Sequence, residues 1–133
     1  MKIINLSENE AKDYIADVPY IHISIRSPKT EPIILPDNPL RKADLFLAFY
    51  DLDKKYREYQ IFTIFQAQQI LLLTMAYVDD IDLIVVNCEA GVSRSAGVAG
   101  ALSKIINDDD SAYFKHSLPN MLVYRTILEE HFK

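Results

Sequence analysis

The sequence predicts an α/β fold in which helices flank a central, mostly parallel sheet. Short apolar runs with strand periodicity alternate with segments of helical periodicity, in the order strand, helix, strand, strand, helix, strand, helix, helix. The strongest strand pattern, at residues 81–87, is followed after a short loop by a segment of small residues, as expected of a central strand and a closely packed helix. With 133 residues, half of them hydrophobic, the chain suits a single domain over residues 1–133.

Two strands and a short helix are predicted near the start of the chain. The segment MKIINL is typical of a short buried strand, and Ser7 with Glu10 has the spacing of a capping box that begins a helix through about Tyr14. In YIHISIRS, isoleucine alternates with more polar residues, which predicts a strand with one covered face. We expect His22, which lies between two of these isoleucines, to point away from the core.

The next part of the chain is predicted as a connection, a strand and a helix. Residues 27–40 contain four of the six prolines, which favours a connection without regular structure. LFLAFYDLD then predicts a buried strand that runs into an acidic turn at Asp51 and Asp53. The polar segment KKYREYQ separates it from a helix that Thr63 caps and that ends at about Val78.

The remaining elements follow from the apolar pattern of the second half. IDLIVVN has the continuous hydrophobicity of a strand covered on both faces. Ser95 to Ile106 is small and apolar and predicts a buried helix that ends in the acidic turn NDDDS, which we interpret as a solvated loop. Apolar residues at helical spacing predict a last helix from about Asn120 to His131.

Composition and charge argue against several classes of function. The formal net charge of -5 disfavours binding to nucleic acid by simple electrostatics. The longest apolar run, residues 70–78, is far shorter than the roughly 20 residues that span a bilayer, so no membrane association is expected. The three histidines show no metal-ligand spacing, and no metal or cofactor is expected. One cysteine and no signal peptide favour the reducing cytoplasm.

The only cysteine, Cys88, directly follows the predicted central strand. A loop between such a strand and a helix turns several backbone N–H groups into one concavity, where the helix dipole also favours an anion. The same donors stabilise the Cys88 thiolate, which is the nucleophilic form. Gly91 permits the tight backbone path, and Arg94 offers a planar fork for two phosphate oxygens. Ser95 can donate a hydrogen bond to the sulfur, and Ser93 can help to hold the loop's shape.

The segment C-E-A-G-V-S-R-S resembles the C-x5-R-S signature of the cysteine-dependent protein tyrosine phosphatases, in the form found in small dual-specificity members. FYDLD resembles the acidic loop of that superfamily, and Leu118-Pro119-Asn120 resembles the segment before its last helix. The resemblance implies a three-layer phosphatase-like sandwich and hydrolysis of phosphate monoesters through a cysteinyl-phosphate, without a cofactor. It implies a phosphate-binding loop (P-loop) made of Glu89, Ala90, Gly91, Val92, Ser93 and Arg94.

The general acid is left with two candidates. Departure of an alkoxide or phenoxide needs a proton, which a carboxylic acid usually supplies. Asp51 completes the F-x-D pattern of the resembling sequences and is preferred, and Asp53 on the same turn is the alternative. The chosen aspartate would later deprotonate the water that hydrolyses the cysteinyl-phosphate.

One residue departs from the family pattern. The family usually has histidine immediately before the cysteine, whereas this chain has Asn87, which cannot carry a positive charge. A weakly active or inactive phosphate-binding module (a pseudophosphatase) is therefore the alternative function. Sulfur transfer by a rhodanese-like domain is a third hypothesis, which the A-G-x-S-R-S pattern disfavours.

The expected partner is a phosphorylated protein or a small phosphate ester. Larger tyrosine-specific members of the superfamily have a segment that deepens the pocket, and a chain of 133 residues leaves little room for it. A shallow site favours phosphotyrosine together with phosphoserine and phosphothreonine as substrates. Glu89 introduces a negative charge that disfavours heavily phosphorylated inositol head groups. The oligomeric state is left open by the sequence.

Overall fold

The computed structural model describes residues 1–133 and contains a four-stranded, fully parallel sheet. The strands are β1 (Lys2–Ser7), β2 (Tyr20–Arg26), β3 (Arg41–Ala48) and β4 (Leu83–Cys88). The helices are α1 (Glu8–Ala11), α2 (Ile64–Tyr77), α3 (Arg94–Asn107), α4 (Ser111–His116) and α5 (Met121–His131). The predicted α/β fold with a mostly parallel sheet flanked by helices is confirmed.

The sheet order β1-β4-β2-β3 places the strand that carries Cys88 in the interior. Along β4, Cys88 pairs with Ser7 of β1, and Asn87 pairs with Ser24 of β2. All six residues of β4 are buried, as predicted from its continuous apolar character. The carboxyl end of β4 is therefore the middle of the sheet edge at which ligands of parallel α/β proteins bind.

The main hydrophobic core lies between one face of the sheet and the three long helices. Isoleucine and valine side chains of β2 and β4 pack there against α2, α3 and α5. The first ten residues of α3 are all buried, and the seven glycine, alanine and serine residues among them allow the helix to lie close to its neighbours. Gly97 marks the closest approach, because a Cβ atom there would lie 2.8 Å from the Asn120 carbonyl oxygen.

The opposite face of the sheet is covered by a smaller cluster and by connecting segments. Tyr20, Leu83 and Val85 form this cluster with Ala16. His22 alternates with the core-facing isoleucines, as predicted, and points away from the main core. It is nevertheless buried, with only 2% of its surface exposed, because the smaller cluster and the connecting segments cover this face.

Several predicted elements differ from the structure in length or environment. The capping box of Ser7 and Glu10 is present, but α1 ends at Ala11 rather than at Tyr14. Beyond it, the backbone N–H groups of residues 13 and 14 bond to the carbonyl three residues earlier, as in a 3₁₀-helix, and not to the one four residues earlier. β3 begins at Arg41 and is an edge strand with alternating exposure, not a buried one. Residues 27–40 contain no helix or strand, and Thr63 caps α2 as predicted.

Helix α4 was not predicted. Its six residues, SAYFKH, form less than two helical turns, which is too short a segment to show a hydrophobic period. Asp108, in the acidic run before it, ends α3 in the left-handed conformation at φ 55°. No helix of the chain has both the length and the apolar character needed to cross a membrane.

Candidate active site

The loop of residues 89–93 connects β4 to α3 and has a distinctive pattern of hydrogen bonds. Its carbonyl groups accept from donors outside the loop: Glu8 N to Glu89 O at 3.1 Å, Asn5 Nδ2 to Gly91 O at 2.8 Å, Leu118 N to Val92 O at 3.2 Å and Asn120 N to Ser93 O at 2.9 Å. None of the backbone N–H groups of residues 89–93 has an acceptor within the chain. These amides, at the N-terminus of a 14-residue helix, are available to an anion.

Gly91 is required for this backbone path. Its φ of +72° is one that L side chains rarely adopt. A Cβ atom at this position would lie 2.6 Å from the Ser7 backbone nitrogen and 2.7 Å from the Leu6 carbonyl carbon. Because these neighbours are backbone atoms of the adjacent strand, the loop could not accommodate a side chain without moving away from β1.

Cys88 lies beneath this loop with its sulfur next to Ser95. Only 2% of the cysteine is exposed, and Cys88 Sγ lies 3.1 Å from Ser95 Oγ. A thiol donates to the hydroxyl oxygen, whereas a thiolate accepts from the hydroxyl hydrogen. Ser95 is therefore placed to stabilise a negative charge on the sulfur, which is the contact expected from the sequence.

Arg94 is buried at the base of the loop and is held by the ends of two strands. Its Nη1 donates to the Phe49 carbonyl at 2.8 Å and to Ser27 Oγ at 3.1 Å. Its Nη2 lies 3.8 Å from Glu89 Oε2, in an ion pair whose carboxylate side chain is 70% exposed. These contacts fix the guanidinium plane. An oxyanion bound in the loop would compete with Glu89 for Nη2.

Asp51 reaches the same site from the segment after β3. One of its carboxylate oxygens, Oδ1, accepts from Ser93 Oγ at 2.7 Å and from Asn120 Nδ2 at 2.9 Å. The other oxygen makes no hydrogen bond within the chain. Asn120 also donates to the Leu52 carbonyl at 3.1 Å, so a single amide orients the acidic turn. The side chain of Ser93, which we expected to help hold the loop's shape, joins the loop to the candidate acid.

The two candidate acids occupy different positions. A pocket of about 440 Å³ is lined by Asp51, Cys88, Glu89, Ala90, Val92, Ser93, Arg94 and Leu118. Asp53 does not line it and lies instead on a neighbouring depression of about 330 Å³, which it shares with Asp51 and Asn120. The structure thus brings Asp51, but not Asp53, into one pocket with the cysteine.

Asn87, which precedes the cysteine, is paired with a histidine from the neighbouring strand. His22 Nε2 lies 2.8 Å from Asn87 Oδ1, and both residues are almost completely buried. Since the amide oxygen is an acceptor, the imidazole donates its Nε2–H. Burial lowers the pKa of His22, and the hydrogen bond to Asn87 only partly offsets this effect. A neutral imidazole therefore anchors β4 to β2 beside the cysteine.

Several residues of the site were not identified as such from the sequence. Ser27, Asn5 and His22 contact Arg94, the loop and Asn87 from distant parts of the chain, and no local pattern marks them. Asn120 was predicted only as the start of the last helix, although its place after Pro119 in the resembling segment is a usable signal. No group of three or more His, Cys, Asp or Glu side chains is arranged to hold a metal ion.

No protein-family model matches the chain, and no curated protein matches it in sequence. Solved structures do match. The human tyrosine phosphatase-like serine/threonine/tyrosine-interacting protein aligns with a TM-score of 0.64 and 16% identity, over 98% of this chain and 91% of its own. PTPMT1 in complex with PI(5)P has a TM-score of 0.59 and 16% identity, over 98% and 90% of the two chains.

A third structure, human DUSP28, is 14% identical with a TM-score of 0.58, over 98% of this chain and 91% of that one. The likeness extends over nearly the whole chain, including the amino-terminal segment for which the sequence offered only an order of elements. The chain therefore has the fold of the small dual-specificity members of the cysteine-dependent phosphatase superfamily.

Proposed function

We propose that the chain is a phosphatase that hydrolyses phosphate monoesters through a cysteinyl-phosphate intermediate. The Cys88 thiolate attacks phosphorus, and the S–P bond forms as the bond to the leaving oxygen breaks. Asp51 gives its proton to that oxygen and then accepts a proton from the attacking water. The loop amides and Arg94 bind the phosphoryl oxygens, and the Ser95 hydroxyl stabilises the sulfur when it leaves.

One observation carries this proposal. Cys88, Arg94 and Asp51 come from a strand end, a helix start and a turn more than thirty residues upstream, yet they line one pocket. Four residues of the loop, Glu89, Ala90, Val92 and Ser93, line the same pocket, and their backbone N–H groups have no acceptor within the chain. A buried structural cysteine would not need an arginine, an acid and unpaired amides around it.

The substrates proposed are phosphotyrosine and phosphoserine or phosphothreonine in proteins. The rim of the pocket includes Val92 and Leu118, which are 42% and 77% exposed and offer apolar contacts to a peptide. PTPMT1 binds a phosphoinositide in its solved complex. In this chain, the Glu89 carboxylate at the rim disfavours a multiply charged head group. We also propose a cytoplasmic location, where reducing conditions would keep the Cys88 thiol from being oxidised.

A phosphate-binding module without turnover is the second candidate. Asn87 supplies no positive charge beside the cysteine, and Glu89 already pairs with Arg94. One of the structural neighbours is named as a phosphatase-like interacting protein, so this fold also occurs in proteins described by interaction. Binding of a phosphopeptide without hydrolysis would favour this candidate.

Hydrolysis of p-nitrophenyl phosphate by the wild type and by Cys88→Ser separates the candidates. We expect activity in the wild type and none above background in the variant, with the same circular dichroism spectrum. We also expect iodoacetate at about pH 6 to alkylate Cys88 faster than glutathione and phosphate to protect it. Equal activity in both proteins would refute the cysteine mechanism. Phosphate protection without wild-type activity would favour the binding module.

A further inference from the structure

A second pocket, of about 780 Å³, adjoins the phosphate pocket and is named the side pocket here. Its lining includes Pro28, Lys29, Tyr50, Arg57, Glu58 and Tyr59. Two pairs of consecutive residues join the two pockets. Tyr50 lines the side pocket and Asp51 the phosphate pocket, while Pro28 follows Ser27, which contacts Arg94. Because consecutive Cα atoms lie about 3.8 Å apart, the pockets are immediate neighbours.

The side pocket has a net positive lining, in contrast to the acidic chain as a whole. Lys29 and Arg57 line it, and neither has a carboxylate within salt-bridge distance. Glu58 is the one acidic residue on its lining. In a chain with a formal net charge of -5, two unpaired cations on one pocket favour an anionic ligand.

Tyrosine rings form an ordered wall beside these cations. Tyr50 and Tyr59 meet edge to face at 5.1 Å, and Tyr56 stacks on Tyr59 at 6.0 Å. The Arg57 guanidinium carbon lies 5.3 Å from the Tyr56 ring centre, which restrains the cation. The segment is tied to the end of β3, since Gln60 Nε2 donates to the Ala48 carbonyl at 3.1 Å and the Tyr50 N–H donates to the Gln60 carbonyl at 2.8 Å. These contacts preorganise the pocket.

Backbone conformation also singles out the two cations. Only three residues other than glycine have a positive φ, namely Lys29 at 71°, Arg57 at 52° and Asp108 at 55°. Asp108 ends α3, where a left-handed residue is common. Lys29 and Arg57 end no helix, and both line the side pocket. Each lies in a tight turn, closed by the Thr30 N–H to Ser27 carbonyl bond or the Tyr59 N–H to Tyr56 carbonyl bond, both at 3.3 Å. The turns fix the position of the two cations on the pocket wall.

We propose that the side pocket binds a second anionic side chain of the phosphorylated peptide whose phosphate occupies the cysteine loop. This proposal rests on the proposed function. An extended peptide advances about 3.3 Å per residue, so a residue one or two positions from the phosphorylated one reaches an adjoining pocket. The tyrosine wall contacts the apolar part of that residue, and Lys29 and Arg57 bind its carboxylate or phosphate.

The test measures the binding of phosphopeptides to variants that lack the nucleophile and so cannot hydrolyse them. Cys88→Ser is titrated with a phosphotyrosine peptide that has glutamine, glutamate or phosphoserine one or two positions away. We expect about fivefold tighter binding of an anionic peptide than of the glutamine peptide. Adding Lys29→Ala and Arg57→Ala should remove this preference, and Glu58→Gln should increase it. Comparison of the glutamate peptide with the phosphoserine peptide shows whether the side pocket prefers a carboxylate or a second phosphate.

Lys2→Ala with Lys104→Ala is the matched control, because it removes the same charge at the opposite end of the sheet. The control should keep the preference. Absence of the preference in Cys88→Ser, or its persistence without Lys29 and Arg57, would overturn the proposal. So would a larger effect of the two substitutions on a short-chain phosphoinositide than on the peptides. Hydrolysis of p-nitrophenyl phosphate by the otherwise native Lys29→Ala, Arg57→Ala protein should be unchanged, and this measurement tests the catalytic proposal separately.

Discussion

Asp51 and Asp53 are two positions apart in the sequence, yet only Asp51 shares a pocket with Cys88. We therefore expect Asp51→Asn to lower kcat/KM for phenyl phosphate, a poor leaving group, by roughly 100- to 1,000-fold. The loss for p-nitrophenyl phosphate should be much smaller, because its leaving group needs little protonation. Steady-state kinetics with both substrates measure the difference.

Asp53→Asn is the matched control for this prediction, since it removes the same charge from the same turn. It should change kcat/KM for either substrate by less than about twofold, as expected for a residue that supplies no proton to the leaving group. If Asp53→Asn instead showed the dependence on the leaving group, the acid would be Asp53.

The buried His22 gives the protein a pH-dependent stability. Its pKa is lowered by burial, so below about pH 6.5 the unfolded chain binds a proton that the folded chain does not. The free energy of unfolding is therefore not reduced by His22 above about pH 6.5. It falls as the pH drops below this value towards the lowered pKa of the folded state. The loss attributable to His22 between about pH 7.5 and 5.5 should reach up to about 1.4 kcal/mol.

Urea unfolding of the wild type and His22→Gln at both pH values measures this contribution. Glutamine keeps a donor for Asn87 but does not titrate, so the variant should lose less stability on acidification. The exposed His116 and His131 are present in both proteins and cancel in the comparison. Equal losses in the two proteins would mean that His22 does not carry the effect.

At the scale of elements, the path of the cysteine loop depends on its closeness to β1. Gly91→Ala should destabilise the protein by at least about 2 kcal/mol, because it combines a left-handed residue with contacts to rigid backbone atoms. It should also weaken binding of phosphate, since the loop amides move. Urea unfolding and phosphate titration measure the two effects.

Gly100→Ala is the matched substitution on α3. A Cβ atom there would meet nothing closer than the Tyr113 Cβ at 3.4 Å, an ordinary contact. Replacing glycine by alanine inside a helix should then be neutral or stabilise by up to about 1 kcal/mol. A similar cost at both positions would show that the approach of the loop to β1 is not limiting.

The elements that could be predicted are those whose signal is local. The capping residues Ser7 and Thr63 and the apolar β4 define their elements without reference to the rest of the chain. The exposed α4 carries no such signal, and the edge position of β3 depends on which strands pair. Similarly, Cys88 and Arg94 belong to a local motif, whereas the partners that orient them depend on tertiary structure.

At the scale of the whole molecule, the order β1-β4-β2-β3 assembles the site. It places the ends of all four parallel strands along one edge, where the segments after β2 and β3 meet the loop after β4. Ser27 and Phe49 thereby reach Arg94 from positions 67 and 45 residues away. The sequence predicts the strands but not which ones pair, and for that reason Ser27 could not be assigned to the site.

The whole chain is acidic, so an anion must be bound by local donors against the net charge of -5. If the loop amides and Arg94 supply these donors, inorganic tungstate, a tetrahedral oxyanion like phosphate, should stabilise the folded protein. At a hundred times its dissociation constant, the gain is about 2.7 kcal/mol, or roughly 8 to 10 °C in Tm for a domain of this size.

Chloride at the same ionic strength is the necessary control, because salt alone reduces repulsion among the acidic side chains. Scanning calorimetry should show a clear excess of the tungstate shift over the chloride shift. Arg94→Lys should lose most of this excess, since lysine lacks the planar fork, whereas Asp53→Asn should keep it. Each variant is compared with its own Tm without anion, so that any change in folding stability cancels. Equal shifts with the two salts would mean that the loop binds no oxyanion, and both the catalytic proposal and the binding-module alternative would fail.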